Sequence, residues 1–68
     1  MEIEAPNAMW GKSLSEVEFR RVFKVTVVAI RRMEELFVNP NPEIMIHKDD
    51  VLIILGSAES IKALEASM

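Results

Sequence analysis

Residues 25–56 read VTVVAIRRMEELFVNPNPEIMIHKDDVLIILG, and how this stretch divides decides the fold. Three apolar runs, VTVVAI, LFV and VLIIL, are punctuated by two prolines, one histidine and two aspartates. VTVVAI is rich in β-branched residues and has almost no polar position, which predicts a central strand covered on both faces. Arg31 and Arg32 end it, Met33 to Glu35 form a three-residue hairpin loop, and Leu36 to Val38 return antiparallel. The NPNP that follows stops the ladder, because each proline lacks the amide a ladder needs and restricts the residue before it. Asp49 and Asp50 make the next turn, and VLIIL is the next strand. The polar punctuation therefore reads first as turn chemistry.

Working outward, Ile3 and Ala5 alternate with Glu2 and Glu4, the two-residue period of a half-buried strand, and Pro6 closes it. Asn7 to Gly11 is a connection. Ser13 followed three residues later by Glu16 is the spacing of a capping box, and it predicts a helix from Ser13 to Val22. Leu14 and Val17 share a face with Arg21 whereas Phe19 and Phe23 project elsewhere, so either the helix is short or it is contacted on more than one side. On the other side of the central stretch, Gly56 ends a strand and Ser57 caps a helix with Glu59 in its first turn and Ile61, Leu64 and Met68 on one face. The order is β-α-β-β-β-α, an α+β domain with a mostly antiparallel sheet.

At 68 residues the chain makes one domain at most, and a chain this short buries only about 60% of its unfolded surface. Small domains usually gain stability from disulfides, a metal or a partner. With no cysteine and one histidine, disulfides and thiolate zinc sites are excluded and imidazole sites are unpromising. Half of the residues are apolar, and the excess is most simply placed in an interface, which predicts a homodimer. A net charge of −3 gives no attraction to nucleic acid. The beginning MEIEAPNAMW lacks a basic start, and no stretch approaches the roughly 18 apolar residues of a membrane span. These features predict a cytoplasmic protein without direct membrane insertion.

Catalysis finds little material: tyrosine and cysteine are lacking and no base stands ready to activate a serine. Arg20, Arg21, Arg31 and Arg32, doubled by a two-fold axis, suit a phosphate pocket; the plainer alternative is solvated arginines paired with glutamates. His47 with Glu43, Asp49 and Asp50 has a metal-like composition but no ligand spacing. Met9 and Trp10 suit an exposed anchor for a partner, a satisfied core position being the alternative for Trp10.

Read together, GKSLSEVEFRRVFKVTVVAIRR, NPNPEI and DDVLIILGSAESI resemble the C-terminal lobe of RCK domains, the regulators of potassium conductance, also called the TrkA C-terminal domain. The resemblance rests on Gly11-Lys12-Ser13-Leu14, on a strand ending with Ala29, Ile30 and Arg32, on Pro40 and Pro42, and on Asp50-Val51-Leu52 before a strand closed by Gly56. It runs without a gap from Gly11 to Leu64.

What the resemblance implies is a regulatory module rather than an enzyme. Such lobes pair as dimers in the cytoplasmic gating assemblies of potassium channels and other cation transporters, beside a dinucleotide-binding N-terminal lobe. The two glycines here, Gly11 and Gly56, are far apart, so this chain contains no Gly-rich dinucleotide loop and no cofactor of its own. Some lobes of the family bind an anionic effector at the dimer interface, cyclic di-AMP being an example. Aligned on such lobes, Leu14, Arg20, Thr26 and Pro42 take the ligand-binding positions. Thr26 stands where an asparagine is usual, and its hydroxyl cannot offer both an amide donor and a carbonyl acceptor to an adenine edge, which argues against cyclic di-AMP in particular. Asp49 stands where glycine is usual, a substitution that keeps the left-handed conformation accessible. A purely structural dimerisation lobe that binds nothing small is the alternative function, and a different small α+β dimer with the same strand pattern is a third.

Overall fold

The computed structural model describes residues 1–67. Its elements are β1 (Glu2–Glu4), α1 (Leu14–Val17), β2 (Thr26–Arg32), β3 (Glu35–Val38), β4 (Val51–Leu55) and α2 (Ala58–Ala66), in the order the sequence predicts. The strands form one sheet ordered β1-β4-β2-β3 with every neighbouring pair antiparallel. Both strongly β-branched runs occupy central positions.

The register sorts side chains between two faces. Ile3 pairs with Leu52, Leu52 with Ile30, and Ile30 with Phe37. That face is covered by Phe19, Ile46 and Leu64, and Ile30, Leu52, Ile54, Ile46 and Leu64 are almost wholly buried. Each such side chain contributes roughly 1.5–3 kcal/mol by leaving water. The opposite face carries Thr26 paired with Leu55, Ala29 with Ile53 and Val38, and Arg31 with Val51 and Leu36. Among the described residues no helix covers it. Leu55, Val38 and Leu36 are 67%, 70% and 54% exposed there. The expectation that VTVVAI is covered on both faces therefore fails within one chain, because both helices pack on the same side.

Two boundaries differ from the sequence reading. Strand β2 ends at Arg32 as predicted, but β3 begins at Glu35, which pairs with Arg32, so the hairpin loop has two residues rather than three. Met33 takes φ 55° to close it, the positive φ that such short hairpins require. The first helix is one turn long, not ten residues. Glu18 turns left-handed at φ 56°, and residues Phe19–Phe23 form a single π-helical turn ending at Lys24, φ 58°. The mismatched apolar face thus reflects a short helix: Leu14 and Val17 follow one axis, Phe19 and Phe23 another. Met68, expected on the inner face of α2, lies outside the described residues; Leu64 of that face is buried and Ile61 half-buried.

Gly56 closes β4 for a packing reason. A Cβ there would stand 2.8 Å from Cγ1 of Val25, a β-branched side chain buried to 1% exposure and stiff at χ1. Gly56→Ala is expected to cost about 1–3 kcal/mol, read as a lowered urea midpoint; an unchanged midpoint would show that the strand end moves freely.

Candidate functional site

The start of α1 is tied to the segment after the prolines. Gly11 N–H donates to Ile46 O, Ile46 N–H to Lys12 O, Leu14 N–H to Ile44 O and Ser15 N–H to Pro42 O, at 2.8–3.2 Å. The Ser13–Glu16 capping box forms in full: Ser13 Oγ accepts from Glu16 N–H at 3.2 Å and Glu16 Oε1 accepts from Ser13 N–H at 3.0 Å. The bond from the Ser13 backbone holds the Glu16 carboxyl below its ordinary range. These bonds leave a cleft of about 400 Å³ between α1, the π turn, the start of β2 and the NPNP segment, within the size range of small-ligand sites.

All four residues singled out from the sequence line this cleft. Leu14 comes from α1, Arg20 from the π turn, Thr26 from β2 and Pro42 from the far wall. The abrupt end of α1 at Glu18 is what swings Arg20 toward the opening while Phe19 enters the core. Phe19, Val27 and Pro40 add apolar wall; Ser15, Glu18 and Asn39 add polar groups that the sequence reading left out of the site, and of the other arginines considered for a phosphate pocket Arg21 joins them. Thr26 belongs both to the cleft and, through its pairing with Leu55, to the uncovered sheet face.

The four arginines separate by partner. Arg21 is held by Glu18 in a two-point ion pair, which raises the guanidinium pKa and lowers that of the carboxyl. Arg31 pairs with Glu2 at 2.8 Å. Arg32 is not a solvated arginine, nor one available to phosphate: Nε and Nη2 grip the two oxygens of Asp50 at 2.8 Å each, and Nη2 also donates to Met45 O. Arg20 has no ion-pair or hydrogen-bond partner among the described residues, and its side chain lines the cleft.

Asp50 is thus more than turn chemistry. It is fully buried, accepts from His47 N–H at 2.8 Å as well as from Arg32, and its own carbonyl accepts from Ala5 N–H. Burial pushes its pKa up, but the bonds from Arg32 and His47 outweigh burial and hold the carboxyl below the ordinary aspartate value. Asp49 takes φ 70° and provides the turn. Among the described residues no three of His, Cys, Asp and Glu converge as a metal site. Trp10 is intermediate between the two alternatives: 37% exposed, with its indole N–H donating to Ala5 O and Lys48 over its ring, while Met9 is a core residue.

A family model described as the TrkA-C domain matches residues 1–68. The chain belongs to the TrkA-C domain family. Among curated relatives, this TrkA-C chain is 34% identical over 65 residues to the Ktr system potassium uptake protein C of Bacillus subtilis (strain 168), covering 96% of the chain and 29% of that protein. It is 33% identical over 55 residues to the K(+)/H(+) antiporter subunit KhtT of the same organism, covering 79% and 33%. The chain thus spans about a third or less of these relatives. The RCK C domain of the potassium transport protein KtrA, solved in complex with cyclic di-AMP, superposes with a TM-score of 0.95 at 28% identity, over all of this chain and 80% of that one. The four-stranded antiparallel sheet with its helices on one side is the TrkA-C fold. No helix of the described residues is long and apolar enough to cross a membrane.

Proposed function

We propose that this TrkA-C domain is a regulatory module that binds a small anionic effector at the seam between two copies of itself. The observation that carries the reading is Arg20, an arginine without a partner among the described residues, in a cleft whose apolar wall is formed by Leu14, Phe19, Val27, Pro40 and Pro42. Guanidinium is well suited to phosphate oxygens, and apolar walls suit the faces of a base. Because Thr26 joins the cleft to the uncovered sheet face, a second copy on that face brings its own cleft to the same seam. A cyclic dinucleotide has two equivalent halves, one for each cleft. The complex of the KtrA domain with cyclic di-AMP supports this choice of effector class. Thr26 offers one hydroxyl to a base, so recognition of adenine needs a further group.

The names of the relatives, a potassium uptake protein and a K(+)/H(+) antiporter subunit, support a role in potassium transport. We infer a cytoplasmic gating assembly in which the domain acts beside a dinucleotide-binding lobe and a membrane cation channel or transporter, as a binding module without catalysis. An effector preferring one arrangement of the paired domains shifts the gating equilibrium by its difference in affinity for the two.

Arg20→Ala is expected to weaken cyclic di-AMP binding roughly 10- to 100-fold, the worth of a hydrogen-bonded charge pair, with folding intact because Arg20 is exposed. Titration calorimetry of both proteins checks this. Heat from neither, with an intact dimer by light scattering, would instead establish the structural dimerisation lobe.

A further inference from the structure

We infer that Asn39 reads the base of the effector, its carboxamide pairing with the edge of an adenine; this rests on the effector site proposed above. Asn39 follows β3 directly and lines the cleft on the wall that also holds Pro40 and Pro42. Its backbone is pinned at φ 51°, with its N–H donating to Val28 O at 2.9 Å. Val28 is itself the extra residue of a bulge in β2, where the register with β4 shifts between Val27 and Ala29. Bulges re-aim neighbouring groups beside sites.

The two asparagines of NPNP are used differently. The Asn41 carboxamide is consumed locally, its Oδ1 accepting from Glu43 N–H at 2.8 Å. The Asn39 carboxamide makes no hydrogen bond among the described residues, although it stands in the cleft. Other polar groups there are committed or unsuited: Ser15 shares a hydrogen bond with Ser13, and Glu18 and Arg21 hold each other. Arg20 only donates, and Thr26 presents a single hydroxyl. Only a carboxamide sets a donor beside an acceptor, and adenine presents the complement, an amino donor beside a ring-nitrogen acceptor.

The plain structural role of Asn39 is tolerance of positive φ, and two substitutions separate that role from base reading. Asn39→Gly keeps the conformation at no steric cost, and Asn39→Asp keeps the shape but replaces donor-plus-acceptor with two acceptors, which match the two donors on the guanine edge. Wild type, Arg20→Ala and both Asn39 variants are titrated calorimetrically with cyclic di-AMP and cyclic di-GMP, and their melting curves are recorded. The expected result is a loss of about tenfold or more in cyclic di-AMP affinity for Asn39→Gly at an undiminished melting temperature. For Asn39→Asp the expected result is a shift of the affinity ratio toward cyclic di-GMP. If wild type binds cyclic di-AMP and Arg20→Ala loses it while both Asn39 variants retain affinity and preference, the role of Asn39 is overturned and the site stands. If wild type binds neither nucleotide, both readings are overturned.

Discussion

Replacing Arg32 with alanine is expected to cost about 3–5 kcal/mol of folding stability, the usual penalty for stripping one partner from a buried ion pair. The Asp50 side chain is only 1% exposed while that of Arg32 is 25% exposed. Removing the arginine therefore strands a carboxylate in the core with His47 N–H alone, whereas Asp50→Ala leaves a guanidinium that still reaches water and should cost less. A small domain has little stability to lose, so Arg32→Ala should be largely unfolded in moderate urea at a fixed protein concentration. Arg32→Lys should recover only part of the loss, since an ammonium cannot grip both Asp50 oxygens and Met45 O with the fork of a guanidinium.

The pH dependence gives the same ion pair a second signature. In the wild type the folded pKa of Asp50 lies below its ordinary value of 3.8, so the stabilisation is complete above that value and is lost as pH falls toward the folded pKa. In Arg32→Ala both lowering influences of the guanidinium are gone while burial, the largest single influence, remains, so the folded pKa moves up. The stability lost on acidification should then shrink relative to the wild type. Denaturant midpoints measured from pH 3 to 6 distinguish the two; parallel profiles would mean that Asp50 is not stabilised by Arg32.

The second large effect is expected at the uncovered sheet face. Leu55→Asp places a carboxylate on the face proposed as the seam, beside Thr26 and on the same face as Ile53 and Val38. A desolvated, unpaired charge opposes association strongly, and in a two-fold arrangement it occurs twice. Light scattering at tens of micromolar should report a monomer, with a melting temperature below that of the wild type because association no longer contributes by mass action. Ala63→Asp, on an exposed position of α2 in the opposite layer, should leave the dimer intact. A Leu55→Asp protein that remains dimeric would place the interface elsewhere.

The strands were legible because β-branched runs bounded by proline and aspartate have few alternatives, and the order of elements follows from them. The one-turn α1 was not legible in full: the sequence around Glu18 and Lys24 carries no glycine to mark a left-handed residue, and only the disagreement between Leu14–Val17 and Phe19–Phe23 hinted at a break. Asp50 closes its turn as the sequence predicts, its N–H donating to His47 O, but its ion pair is not legible there, because Arg32 lies 18 positions away and only the pairing of β2 with β4 brings the two together. Leu14, Arg20, Thr26 and Pro42 share a cleft, but their placement there depended on a family resemblance, since nothing in their spacing converges. Asn39 was hidden by its proline neighbour: NPNP reads as two equivalent turn residues until the hydrogen bonds show that Asn41 is occupied and Asn39 is not.

Regulation by an effector held between two copies is tested most directly by the stoichiometry of the complex. Sedimentation velocity of the chain mixed with cyclic di-AMP, followed at a wavelength where the nucleotide dominates and again where Trp10 does, measures the nucleotide content and the mass of the same species. Nucleotide should travel with a dimer at one cyclic dinucleotide to two chains. Nucleotide bound one-to-one on a monomer, or remaining wholly in the slow unbound fraction, would contradict an effector held between two copies.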